Sequence, residues 1–473
     1  MVAVADKLHR RGETEGAIFE REALRHVAMP LGGLGAGQIA ICGDGGLRQW
    51  QMVNQANHVG FVPDSFFAIR ASCTEPPLDT IRVLQSREVL ALPKDHTPLV
   101  NDDYIPADQE ALLGKVPGVE RTTFVGAYPF ARIGYEDSEL PLEVELEAYS
   151  PFIPLDTEAS GLPAIQLTFR LRSQWPHELH GCLGASLQNA VGWDGVTPIS
   201  DNRCPLYGGN TNDVRRSPDR VSIVMRNPEL SSDHPCAGQM VLAALTPTAR
   251  PYERWTSPEQ FVRFIEGFNA AVHLTPTTPG RHWTDANRPV TPGGGSPKGE
   301  TWNGGLLVPY RLAPGEATTI TFVIAWYFPN RYVNFDQFGA RRDYGKTQFW
   351  LGNAYATRFA DAGEVVDHLV RHGQAMEQKS RAWARGLHGA TLPTWLAETL
   401  AAQGSLMRSP TCFWTEDGKF YGFEGALGAS TAMWNASFGG SCPLNCTHVW
   451  NYEQALSRLF PQLERTKRET DLE

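Results

Sequence analysis

Between Arg121 and Phe328 the apolar residues return at every second position, a period that leaves little room for anything but β-sheet. Leu142, Val144, Leu146 and Ala148 alternate with Glu143, Glu145 and Glu147, so one face of this strand is apolar and the other is expected to show carboxylates to water. Ile165, Leu167, Phe169 and Leu171 alternate in the same way with Gln166, Thr168, Arg170 and Arg172. Val221, Ile223 and Met225 mark a third strand, and Ile320, Phe322, Ile324 and Trp326 a fourth. Pro/Gly turns separate these runs and few helical signals fall between them, which predicts a large antiparallel β-sandwich rather than a βαβ sheet. Thr291 to Glu300 (TPGGGSPKGE) reads as a surface loop.

With 473 residues the chain can build two or three domains with sizeable cores. Its net charge of -10 argues against nucleic acid as a partner, because phosphate binding needs an excess of Lys and Arg on one face. The N-terminal stretch has no apolar run long enough for a signal peptide, and no segment approaches the length of a membrane span. A soluble, cytoplasmic protein is expected. Eight cysteines in so long a chain do not make a disulfide framework. Cys442, Cys446 and His448 raise a metal hypothesis, but a C-x3-C pair without a second pair favours reduced thiols, and no metal or cofactor is expected.

The pattern changes after about Tyr344. Val366, Leu369 and Val370 share a helical face, and the charged run to Leu387 predicts a long, partly solvated helix. Trp395, Leu396, Glu398 and Leu400 begin another, opened by Pro393. Thr411 to Thr415 and Lys419 to Phe423 are β-prone runs around Asp417-Gly418, the signature of a tight hairpin in which Asp417 is a turn residue. Glu424 follows at the point where strand character is lost to a Gly-, Ala- and Ser-rich loop. A carboxylate fixed by a strand at the lip of a loop suits a nucleophile or general base. Helix structure then resumes at Asn445 or Thr447, with Val449, Tyr452, Leu456, Leu459 and Phe460 on one face. Pro461 ends or kinks it, and a further helix begins at Gln462.

The segment EDGKFYGFEG, followed by NCTHVWNYEQALSRLFPQLE, resembles the opening of the catalytic region of glycoside hydrolase family 116, which includes β-glucosidases, β-xylosidases and non-lysosomal glucosylceramidases. The N-terminal stretch GGLGAGQIAICGDGGLRQWQ is similar to the signature at the other end of that family's sandwich domain. Taken alone, Gly33, Gly35 and Gly37 fit no nucleotide-binding loop and read as a crowded β segment, with Ile39 and Ile41 directed into a core. The resemblance implies that Glu424 is the nucleophile of a retaining hydrolase and that side chains at the following helix start touch the sugar. Many members carry Asp where this chain has His448, a change that leaves the glycon open because His can donate a hydrogen bond. Asn445 and His448 are the polar candidates for glycon contacts, and Trp414 and Trp450 are the stacking candidates among Trp414, Tyr421, Trp434 and Trp450. Each aromatic can equally serve a core, and Asn445 can equally cap its helix.

The expected architecture is therefore a β-sandwich over residues 1–340, a linker helix region over 341–390 and the first helices of an (α/α)6 barrel over 391–473. Relative to the family this barrel is truncated, so the Asp general acid/base is expected beyond Glu473 and the fragment is expected not to turn over substrate. The reading is a retaining glycosidase acting on β-glucosides or related β-glycosides. Its rivals are a non-catalytic carbohydrate-binding or assembly module, and an inverting α-toroid glycosidase. The sequence leaves the sugar, the aglycone and the oligomeric state open.

Overall fold

The computed structural model describes residues 16–55, 57, 59–88, 105–268, 294–334, 348–409, 412–422 and 454–472. Two large sheets dominate it. The first has nine strands, in the order Ala17–Glu20, Arg121–Ala127, Phe130–Glu136, Leu142–Tyr149, Ala164–Ser173, Ala317–Tyr327, Gln239–Ala244, Arg220–Arg226 and Thr211–Ser217, with every neighbouring pair antiparallel. The second has six, in the order Arg250–Trp255, Asn303–Leu312, Leu179–Gln188, Phe67–Cys73, Leu78–Ser86 and Gly118–Val119. Only its last pairing is parallel.

The two sheets share one core, in which the alternating apolar residues of both meet. Ile133, Leu146, Phe169 and Phe322 come from the larger sheet, and Ile69, Leu183 and Leu306 from the smaller. Phe67 of the smaller sheet packs on Phe169 of the larger at 5.0 Å between ring centroids, which fixes the contact across the layers. All four strands read from the period-two pattern lie in this larger sheet, and their pairings are antiparallel as expected.

The expectation that Glu143, Glu145 and Glu147 face water needs correction. Glu145 is buried, and the register sets Glu143 opposite Arg172, Glu145 opposite Arg170 and Glu147 opposite Arg132. The helix Ala362–His388 lies over this outer face, its Arg381 pairs with Glu147 and Glu377, and Val365, Val366, Leu369 and Met376 pack on Val241, Val323 and Ala325 of the sheet. Cross-strand charge pairs under a helix give the same alternating pattern as a solvated face, which is why the sequence did not separate them. Asp361 caps the helix by accepting a hydrogen bond from the Glu364 amide (2.9 Å). The helix Pro258–Glu266 covers the smaller sheet from the other side through Phe261 and Ile265.

A separate apolar cluster joins the chain's two ends. It combines Leu34, Tyr128 and Phe152 of the sandwich with Ala401 and Met407 of the helix Thr394–Leu406 and its end. Cys412 and Phe420 of a hairpin, and Leu456, Phe460 and Leu463 of the last two helices, complete it. Those helices, Gln454–Leu459 and Pro461–Leu472, meet at the expected proline, which opens the second of them. Among the described residues no helix is long and apolar enough to cross a membrane. None of the six described cysteines forms a disulfide.

Candidate functional site

The expected hairpin forms from Cys412–Trp414 and Phe420–Gly422, with Phe413 opposite Tyr421 and Trp414 opposite Phe420. Its turn is built by Asp417, whose Oδ1 accepts from the Thr415 hydroxyl (2.6 Å) and from the Lys419 amide (3.3 Å). Gly418 supplies the left-handed backbone at φ 85°, and the Thr415 amide donates to Lys419 O (2.9 Å) to close the turn. Strand alternation gives the hairpin two different faces. Cys412, Trp414 and Phe420 turn toward the apolar cluster at the chain ends, while Phe413 and Tyr421 stack at 4.8 Å with an interplanar angle of 11°.

The first face is seated on the Gly-rich N-terminal signature. Gly35 takes φ 61°, its amide donates to Met407 O (3.2 Å), and its carbonyl accepts from the Trp414 amide (3.4 Å). A β-carbon on Gly35 would sit 2.4 Å from the Trp414 nitrogen, so only glycine lets the two backbones approach this closely. The Trp414 ring lies along Gly161, where an added β-carbon would be 3.2 Å from Cζ3. Its Nε1 donates to Gly418 O (3.2 Å). Ile39 and Ile41 behind the loop are fully buried, as read from their spacing.

Beneath this seat lies Arg408, a guanidinium with no exposed surface and no carboxylate partner among the described residues. Its Nη2 donates to Ser150 O (3.0 Å) and Pro151 O, and its charge lies 5.3 Å from the ring centres of both Tyr128 and Phe152. Burial lowers its pKa, and pushes that of the Tyr128 hydroxyl, which donates to Gly404 O (3.3 Å), up to about 12.

The second face of the hairpin carries a different arginine. Arg331 places its guanidinium carbon 4.6 Å from the Phe413 ring centre, and its Nε donates to Asn353 Oδ1 (3.0 Å). Asn353 is itself fixed, with Nδ2 donating to Asn54 Oδ1 (2.7 Å) and to Phe328 O (2.7 Å). The Leu351 and Gly352 amides donate to Arg331 O (2.9 and 3.1 Å), and Trp350 Nε1 bonds Glu416 at the hairpin turn (2.9 Å). Burial pulls the Arg331 pKa down to about 10, which leaves it charged at neutral pH.

Of the residues singled out from sequence, the structure places Trp414 in the seat just described, half-buried against glycine backbone. Glu424, Asn445, His448 and Trp450 lie outside the described residues, as do Trp434, Cys442 and Cys446. The hairpin ends at Gly422, two residues before Glu424, so the scaffold leading to that carboxylate is defined. Sequence reasoning missed Arg331, Asn353 and Arg408. No motif surrounds them, and an arginine buried without an acid has no spacing signal.

Residues 28–376 match the family described as beta-glucosidase 2, glycosyl-hydrolase family 116 N-term, well over half of the chain. The chain belongs to glycosyl-hydrolase family 116 through this N-terminal domain. A comparison with functionally curated proteins finds no match. Among solved structures, it is similar to a protein assigned as a kojibiose phosphorylase from the human microbiome, at 8% identity and a TM-score of 0.35 over 84% of this chain and 43% of that one. A polysaccharide lyase is similar at 10% identity and a TM-score of 0.24, over 67% of this chain and 33% of that one. The chain thus spans less than half the length of either.

Proposed function

We propose that this chain carries the N-terminal domain and the nucleophile-bearing start of the catalytic domain of a retaining glycosidase that acts on β-glucosides or related β-glycosides. Membership of family 116 over residues 28–376 carries the reading. The rigid hairpin that delivers the chain to Glu424 supports it, because a nucleophile must be held in place while loops accommodate the sugar. In the proposed double displacement a Glu424 carboxylate oxygen bonds the anomeric carbon as the bond from that carbon to the aglycone oxygen breaks. A second carboxylic acid, about 5 to 5.5 Å away, gives its proton to the departing oxygen. That group then takes a proton from water, whose oxygen displaces Glu424 and restores the starting configuration. His448 and Asn445 are assigned to glycon hydroxyls and Trp450 to stacking on the ring, whereas Trp414 is held in the hairpin seat by Gly161 and Gly418.

The test is mechanism-based labelling with a cyclophellitol-type epoxide, read by mass spectrometry of peptides. A covalent adduct on Glu424 that disappears in Glu424→Gln is the expected result. Binding of the epoxide without any adduct would favour a carbohydrate-binding module instead.

A further inference from the structure

We propose that Arg331 is a ligand-binding residue that receives an oxyanion, such as a carboxylate or phosphate carried by a sugar, beside the Phe413–Tyr421 face of the hairpin. Arg331 is 8% exposed, so most of the side chain is removed from bulk water, and its unbonded Nη atoms are not among the fully buried unpartnered ones. Only Nε is used within the described residues, in the bond to Asn353. Among the described residues no acceptor meets the four Nη hydrogens and no Asp or Glu pairs with the guanidinium. Asn353, Asn54 and Phe413 around it are neutral.

A buried cation is ordinarily compensated by an acid or by carbonyl oxygens. Arg408, on the opposite face of the same hairpin, follows that rule in part through two carbonyls. Arg331 does not. Instead it is pre-oriented: Nε is clamped by an asparagine that is itself held at two points, and the guanidinium is kept flat on Phe413. That leaves the forked end of the group available in the geometry that pairs two oxygens of one anion. A neutral hydroxyl would leave the charge uncompensated, which is why an acidic ligand is inferred. Identifying that ligand as a sugar acid rests on the glycosidase proposal, whereas the anion site itself does not.

Isothermal titration of the whole chain at constant ionic strength tests this, with sodium D-glucuronate, inorganic phosphate and D-glucose as probes, against Arg331→Met and Arg331→Lys. Glucuronate should bind at least about tenfold more tightly than glucose, Arg331→Met should erase that preference, and Arg331→Lys should keep part of it, since a point charge lacks the fork. Phosphate binding alone, lost with Arg331→Met, would support the anion site with a phosphorylated or free phosphate ligand in place of a sugar acid. If Arg331→Met fails to fold, the wild type and Arg331→Lys still decide between the outcomes. Failure of the wild type to bind either anion better than glucose, or anion binding unchanged in both variants, would overturn the inference. Neither result depends on turnover or on labelling of Glu424, so the glycosidase reading stands or falls separately.

Discussion

The sandwich and the hairpin seat are held together by opposite means. In the sandwich, two sheets bury many apolar side chains in one common core. At the seat, a few backbones meet at distances that admit only glycine, and on the two faces of the hairpin Arg408 and Arg331 are buried with no carboxylate partner among the described residues. The comparison teaches that this protein spreads its bulk stability over many apolar contacts and fixes the hairpin through a few close ones.

The sharpest way to break that contrast is Gly35→Ala. The new methyl meets the Trp414 backbone in a left-handed conformation, and a loss of about 4 kcal/mol is expected in denaturant unfolding. Ile133→Val in the fully buried sandwich core should cost only about 1 kcal/mol. Equal midpoints for the two variants would sink the distinction.

Asp64 sharpens the picture from within the sandwich. It takes a left-handed backbone at φ 57°, accepts from Asn303 Nδ2 (2.7 Å), and burial pushes its carboxyl up to about 7. The folded state thus holds this proton more tightly than the unfolded chain. The contribution is fully present below about pH 4 and is lost as pH rises through about 7. Asp64→Asn should remove this slope and gain on the order of 2 kcal/mol at pH 8, as read by thermal melts across that range. A melting profile parallel to that of the wild type would contradict it. The smallest effect belongs to Glu147→Gln. Arg381 keeps Glu377, so unfolding should shift by about 1 kcal/mol or less.

The strands were legible because burial on one face repeats with the period of the backbone, as at Ile165 to Leu171. Asp417-Gly418 was legible because a tight turn needs those residue types locally. The outer face of Leu142–Tyr149 was not, since pairing of Glu147 with Arg381 depends on a helix far along the chain. The seat was visible only as two separate glycine-rich and aromatic stretches. That Gly35 touches Trp414 is a fact of tertiary approach with no sequence period behind it. Arg331 and Arg408 were silent for the same reason: a lone arginine reads as surface until its burial is known.

The Leu155 amide donates to Leu459 O (2.7 Å) and the Ala17 amide to Glu398 (2.8 Å), beside the contact of Gly35 with Trp414. The opening strands and the closing helices are therefore stitched into one piece. An attempt to transplant the helical portion onto another carrier, or to synthesise it separately, would produce a hairpin lacking its floor. The hairpin that ends at Gly422 is therefore a joint product of both halves.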